Sequence, residues 1–409
     1  MEKEGSADGG GTGSGLMRDE RSHQQGTFVE LFFDLVVVFA LNTVVATGAA
    51  AMKDDAIEVR WYGFIHGILL ILPLLWVWST TAYVTTRFDP RRTPTRMLVL
   101  VTSLGVLFLG AAAPTAFDGG ALIFVGVYLA LQAGRPLALY WLLRRHPIRR
   151  LYLRTLVWSG VSAVPWLLGG FIHAGLSRAL VWLVAISIDF GGARFGWPVP
   201  RLGRGRITAW AVAPEYLADR YRQLMMIALG ESILAVGIAY TDEDGLRSLT
   251  RTTGLAVGFV TTVLLWRIYF YKAGELFGVA VGSAKDPGRL GLVAQTAHVV
   301  MILGIAATAA GHELLQTHPT GPRYPLWTGV ILTGPAIYLA GRLVLEWLVF
   351  SRLSRPRLLA IAALLAFTVP LALVPPLAAA SVVPVVLLMI AVADTRRAAR
   401  SPGETPTPP

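Results

Sequence analysis

Apolar runs, each about as long as a membrane-crossing helix and each ended by charged or turn-forming residues, follow one another along nearly the whole chain. A helix rising 1.5 Å per residue needs roughly 20 apolar residues to cross about 30 Å of hydrocarbon. The runs predict twelve spans: Phe28 to Ala51, Trp61 to Val84, Met97 to Phe117, Ala121 to Leu143, Thr155 to Ala174, Arg178 to Phe195, Arg220 to Tyr240, Gly254 to Tyr271, Leu290 to Leu315, Leu326 to Phe350, Leu358 to Val374 and Leu377 to Ala393. The expected fold class is an all-α integral membrane protein. Trp and Tyr near span ends, such as Trp61, Tyr83, Tyr240, Tyr271 and Trp327, are expected to anchor in the membrane interface.

Positive residues beside span ends are retained on the cytoplasmic side. Of the 36 Lys and Arg, 26 fall on the side shared by both tails and 6 on the other; Arg135, Arg222, Arg267 and Arg342 lie inside spans. Both termini are therefore expected in the cytoplasm, as in a multi-pass plasma-membrane protein. Residues 1–26 and 397–409 have no apolar core and are expected to be disordered tails around a membrane domain over 27–396.

Twelve spans invite a search for two sets of six, and the halves, about 27–195 and 216–394, match in order. Glu30, Asp34 and Asn42 of the first span align with Asp219, Gln223 and Glu231 of the seventh. Leu74-Leu75-Trp76 recurs as Leu264-Leu265-Trp266, Ala133-Gly134-Arg135 as Ala340-Gly341-Arg342, and Asp189 as Asp394. With an even number of spans per half, the halves should be related by a pseudo-two-fold axis along the membrane normal.

Composition narrows the function. Apolar residues make up 54% of the 409, and charged residues 15%, too few for an ordinary soluble enzyme. There is no cysteine, so no disulfide, thiolate metal site or cysteine nucleophile can form. The net charge of +11 is explained by topology and by attraction to anionic headgroups, so membrane lipids and not nucleic acid are the expected partners. No segment outside the spans is long enough to fold as a nucleotide-binding domain, and no phosphate loop occurs. No metal or cofactor is expected; His66, His298 and His312 do not converge on the sequence.

Ionisable residues inside the bilayer are costly and are functional candidates by default. Asp34 and Arg135 should lie at similar depth, about 10 and 12 Å from the cytoplasmic face at 1.5 Å per residue. Glu30, Asp189, Asp219, Arg222, Gln223, His298 and Arg342 fall in the same third. This predicts a polar cluster near the pseudo-axis, in which Arg135 and Arg342 clamp carboxylates or an anionic substrate, with Gly134 and Gly341 letting backbones approach beside each Arg. The structural alternative is a set of ion pairs, Asp34 with Arg135 among them, that pins helix register. A cavity reaching past Glu231 from the cytoplasm would favour transport; a closed, mutually paired cluster would favour a structural role.

The run from Phe28 to Ala40, FVELFFDLVVVFA, and the stretch from Tyr216 to Gly237, with Ala228-Leu229-Gly230-Glu231-Ser232, resemble the two markers of the bacterial low-temperature-requirement A family. The resemblance covers about residues 27 to 395. It matches Glu30, Asp34, Arg220, Gly230 and Glu231 to motif positions, while Tyr216 stands where the family usually has His. It implies a polytopic plasma-membrane protein associated with growth in the cold and carries over no biochemical activity. The expected function is a secondary-transporter-like permease for an unknown small molecule or ion, with Glu30, Asp34, Asn42, Arg135, Asp219, Arg220, Gln223, Glu231, His298 and Arg342 as substrate or proton-coupling candidates. The rivals are an intramembrane enzyme acting on a lipid or small molecule and a non-catalytic membrane-organising protein.

Overall fold

A computed structural model describes residues 16–18, 26–173, 175–205, 214–242, 245–401 and 403–409. Among them are thirteen α-helices and no strand: α1 (Phe28–Met52), α2 (Ile57–Arg87), α3 (Thr93–Ala112), α4 (Ala121–Leu142), α5 (Arg149–Phe171), α6 (Leu176–Phe195), α7 (Pro214–Asp242), α8 (Leu249–Phe270), α9 (Ala273–Ser283), α10 (Pro287–Thr317), α11 (Pro325–Phe350), α12 (Arg355–Leu371) and α13 (Pro376–Arg400). Helix starts follow local chemistry. Prolines open α3, α10, α11, α12 and α13, where a missing N–H costs nothing. Asp286 and Ser248 accept from the backbone of Arg289 and Arg251 at the starts of α10 and α8. Gly196 ends α6 in the left-handed conformation at φ 73°.

Ten stretches are long and apolar enough to cross a membrane, with α8 and α9 together forming one of them. Two of the twelve expected spans are not among these. Helix α5 dilutes its aliphatic residues with Trp158, Ser159, Gly160, Ser162, Pro165 and Trp166, and α12 has only 17 residues. Helix α9, 11 residues long, is an addition inside what the sequence reads as a connector, and at roughly 16 Å is too short to cross.

Helices α1 and α10 form the middle of the bundle. Helix α1 packs on α2, α3, α7 and α10, and α10 packs on α7 and most extensively on α11. Small residues make the α10–α11 seam possible: a Cβ on Gly304 would strike the Tyr338 backbone, and one on Gly341 would come within 2.6 Å of the Ala297 carbonyl. Gly134, expected to play the part of Gly341 in α4, has no neighbour near its absent Cβ. Large apolar side chains such as Phe32, Leu35, Phe108, Leu168, Val260, Phe367 and Leu388 face outward, as a lipid-bathed surface requires. Trp61 stands 49% exposed, in keeping with an interface anchor, but Trp327 is buried and donates to the Met52 carbonyl at 2.8 Å; it ties α11 to the end of α1 instead.

The neighbours follow the same order twice. Helix α2 sits beside α1, then α1 on α3, α3 on α4, α4 on α5, α5 on α6 and α6 back on α2; likewise α8 sits beside α7, then α7 on α10, α10 on α11, α11 on α12, α12 on α13 and α13 back on α8. Both tails touch the bundle. Residues 16–18 pair with the strand-like end of α2 through Met17 and Phe88, and Thr407 donates to the Val349 carbonyl at 2.8 Å.

Candidate functional site

Where α1 and α7 cross, the charged residues of the two helices meet. Thr27 caps α1, its amide and hydroxyl each donating to Glu30 at 2.9 Å, which fixes the carboxylate at the first turn. Asp34, one turn on, lies on the same face. Arg220 of α7 reaches between them: Nη1 donates to Asp34 Oδ2 at 2.8 Å, Nη2 donates to Oδ1 at 2.7 Å, and Nε stands 3.5 Å from Glu30. The Trp78 indole donates to Asp34 at 2.9 Å and the Tyr216 hydroxyl donates to Glu30. Gln223 accepts from Arg220 at 2.5 Å and donates to Asp219 at 2.9 Å, and Asp219 also accepts from the Gly26 amide. Arg220, Glu30 and Asp34 are each about 1% exposed.

This network contains five of the expected candidates, but Asp34 takes Arg220 and not Arg135. Depth matched Asp34 with Arg135; the direction around the helix, which depth does not encode, gives Asp34 to Arg220 instead. Tyr216, at the position where the resemblance implies His, serves as a donor to Glu30.

Arg135 and Arg342 act on backbone. Arg135 Nη1 donates to the Val77 carbonyl at 2.9 Å and to Thr81 Oγ1 at 2.7 Å, and Nε donates to Leu131 O. Arg342 Nε donates to the Ile268 carbonyl at 2.9 Å and Nη2 to that of Tyr271 at 3.1 Å. Each therefore pegs the second helix of its half at matching positions. Their surroundings differ. Arg342 Nη1 is sealed in without a partner, beside Glu346, which together with Asp394 grips the buried Arg357. Among the described residues Arg135 Nη2 has no hydrogen-bond partner, and it is not shut off in this way.

Beside Arg135 lies a partly open cavity of about 90 Å³ between α2, α4, α5, α6 and α10, lined by Trp76, Thr80, Tyr83, Arg87, Gln132, Leu139, Leu151, Tyr152, Thr155, Trp197 and Gln295 among others. It lies at the end of the bundle where α1 begins and α13 ends. Gln132, which sequence reasoning passed over, accepts from the Trp76 indole at 2.8 Å and donates to Asp189 at 2.9 Å; Asp189 also accepts from Tyr128 at 2.7 Å and Trp166 at 3.2 Å. The polar positions 128, 132 and 135, on one face of an apolar helix, were the signal. Glu346 and Arg357 were overlooked because they sit at span ends, where charge is ordinary.

His298 is buried, its ring stacked on Tyr221 at 4.0 Å, its Nδ1 2.7 Å from Ala294 O and its Nε2 3.0 Å from the Tyr269 hydroxyl. Glu231 lies deeper on α7, 2% exposed, with Asn42 of α1 facing its carboxyl group and Oε1 without a partner. Asn42 and Glu231 are equivalents in the internal alignment, so two matching positions face each other across the α1–α7 contact. Among the described residues, no three of His, Asp and Glu gather as a metal site would require.

A family model described as bacterial low temperature requirement A protein (LtrA) matches residues 25–392. An uncharacterized protein of Rhizobium meliloti (strain 1021) is 31% identical over 337 residues, covering 80% of this chain and 78% of that protein. No solved structure matches the chain.

Proposed function

Starting from the chain's membership of the bacterial low-temperature-requirement A family of polytopic membrane proteins, we propose that it is a plasma-membrane permease whose substrate enters through the Arg135 cavity. In this reading twelve helices, α5 and α12 included, cross in two halves of six with both termini in the cytoplasm. The repeated order of helix neighbours and the facing equivalents Asn42 and Glu231 support the two halves, with the axis proposed between α1 and α7. The short turns around α5 and α12 support their running back across the bundle between their neighbours.

One observation carries the functional part: an intramembrane guanidinium with one nitrogen uncommitted beside a cavity. Holding a buried charge in lipid costs free energy, and Arg135 differs from Arg342, whose spare nitrogen is sealed in, because its own spare nitrogen is not sealed and its side chain lines the cavity. The Glu30, Asp34 and Arg220 network is closed and mutually paired, so we assign it to holding α1 against α7 at the axis. The Arg135 cavity does not reach Glu231, so the permease reading rests on the free Arg135 donor and not on a cavity extending past Glu231; in this reading Glu231 and Asn42 are the proton-coupling pair deeper in the bundle.

The absence of cysteine permits a substrate-independent test. Thr155→Cys should react with a membrane-impermeant maleimide in inside-out vesicles and, during cycling, in right-side-out vesicles at a slower rate. Asn42→Cys should follow the same pattern more slowly. Thr155→Cys labelled from the cytoplasmic side alone under every condition contradicts a permease.

A further inference from the structure

We propose that the Arg135 cavity takes a small organic monoanion: a carboxylate carried on an apolar or aromatic body. The proposal rests on the permease reading for the role of the site, but its chemistry comes from the cavity walls. No Asp or Glu lines the cavity, whereas Arg135 and Arg87 do. The two arginines oppose a cation, and the wall offers no carboxylate to pair with one or with the ammonium of a zwitterion. Arg135 has one nitrogen to offer, its others being held by Leu131, Val77 and Thr81.

Gln295 of α10 supplies a second, independent donor. It is 5% exposed, lines the cavity, and its amide has no hydrogen-bond partner among the described residues and is not sealed off. One cationic donor and one neutral donor match the two oxygens of a single carboxylate, and a charge-assisted bond here gains from the low local dielectric. A dianionic phosphate calls for more positive charge than Arg135 alone offers, the Arg87 guanidinium being directed to the Tyr152 hydroxyl. Trp76, Leu139, Leu151 and Trp197 make the remaining wall apolar, which suits a hydrocarbon or aromatic body. The enclosed part, about 90 Å³, is smaller than the roughly 150 Å³ that takes a benzene ring, so the carboxylate and its nearest carbons fit inside while the rest of a body such as that of benzoate or hexanoate lies in the open mouth.

The test is equilibrium binding of radiolabelled benzoate to the full-length protein in neutral-lipid nanodiscs. Binding should be saturable and displaced by hexanoate, but not by benzamide or benzylamine, which keep the shape without the negative charge. Arg135→Gln and Gln295→Ala should each weaken it, the first by roughly ten- to a hundredfold as expected for a lost charge-assisted bond. Thr155→Phe, which narrows the cavity and removes no donor, should also abolish binding, and it decides the matter if Arg135→Gln does not fold. Arg342→Gln should bind as wild type. Palmitate displacing benzoate better than hexanoate identifies the membrane as the source of the carboxylate; the reverse identifies the cytoplasm. Benzamide competing equally, unchanged affinity in Arg135→Gln, or no saturable binding overturns the proposal. Saturable binding without exchange across vesicles leaves the ligand class standing and removes the permease reading instead.

Discussion

Replacing Arg220 with Ala removes the one cation set between two buried carboxylates. In the native bundle its guanidinium spans both oxygens of Asp34 at 2.7 and 2.8 Å and stands 3.5 Å from Glu30. Without it, Asp34 keeps only the Trp78 indole, and Glu30 keeps Thr27 and Tyr216. Breaking a buried pair by removing one partner costs about 3 to 5 kcal/mol, because the remaining charge is left desolvated. Asp34→Asn should cost less, about 1.5 to 3 kcal/mol for a lost bond between charged groups, because Arg220 then still has Glu30 and Gln223. A domain of 150 to 250 residues loses about 2 to 4 °C of melting temperature per kcal/mol, and a larger one somewhat less. In detergent, Arg220→Ala should therefore melt at least about 5 °C below wild type, with Asp34→Asn between them. The two effects should not add, since both variants break one contact. An Arg220→Ala protein that melts with the wild type refutes the assignment of this network to holding α1 on α7.

Three further outcomes are expected. Glu231→Gln, whose carboxyl group faces Asn42, feels the Glu313 carboxylate and keeps an unpartnered oxygen, should leave melting unchanged while abolishing rescue of a deletion strain; lowered melting would place Glu231 among the structural pairs. Gly304→Val should destabilise by about 1 to 3 kcal/mol or more by forcing α10 off α11, whereas Gly134→Ala, with open space at its Cβ, should melt no lower than wild type. Reporters that need cytoplasmic folding should be active at both termini and tags after Phe117 or Tyr240 reachable from outside; an external carboxyl terminus would contradict the twelve-span layout.

Much of the fold was legible because bilayer thickness imposes one length on every span. The runs ending at Pro and charge became helices nearly where they were expected, and Glu30 and Asp34 were marked by lying in an otherwise apolar stretch, Arg220 only by its place in the second family marker. Partner choice was not legible. Depth matched Asp34 with Arg135, and only the packing of α1 on α7 turns Arg220 toward the carboxylates while Arg135 meets the carbonyl of Val77 on α2. The same limit hid the Glu346 and Arg357 pair, since charges at helix ends look alike whether they face water or each other. Helix α9 was lost because its 11 residues lie between Lys272 and Lys285, a spacing that reads as a loop. Trp327 shows the converse error: a Trp at a span end is most often an interface anchor, but here its indole serves a backbone carbonyl inside the bundle.

The central claim is that the Arg135 cavity lies on a path through the membrane. Counterflow of radiolabelled benzoate into proteoliposomes preloaded with unlabelled benzoate tests it most directly. Wild type should show a transient accumulation above protein-free vesicles, Arg342→Gln should retain it in proportion to folded protein, and Arg135→Gln and Thr155→Phe should lose it. Benzoate that binds in nanodiscs with no counterflow in wild type would contradict the account, leaving a membrane protein that holds an anion without carrying it.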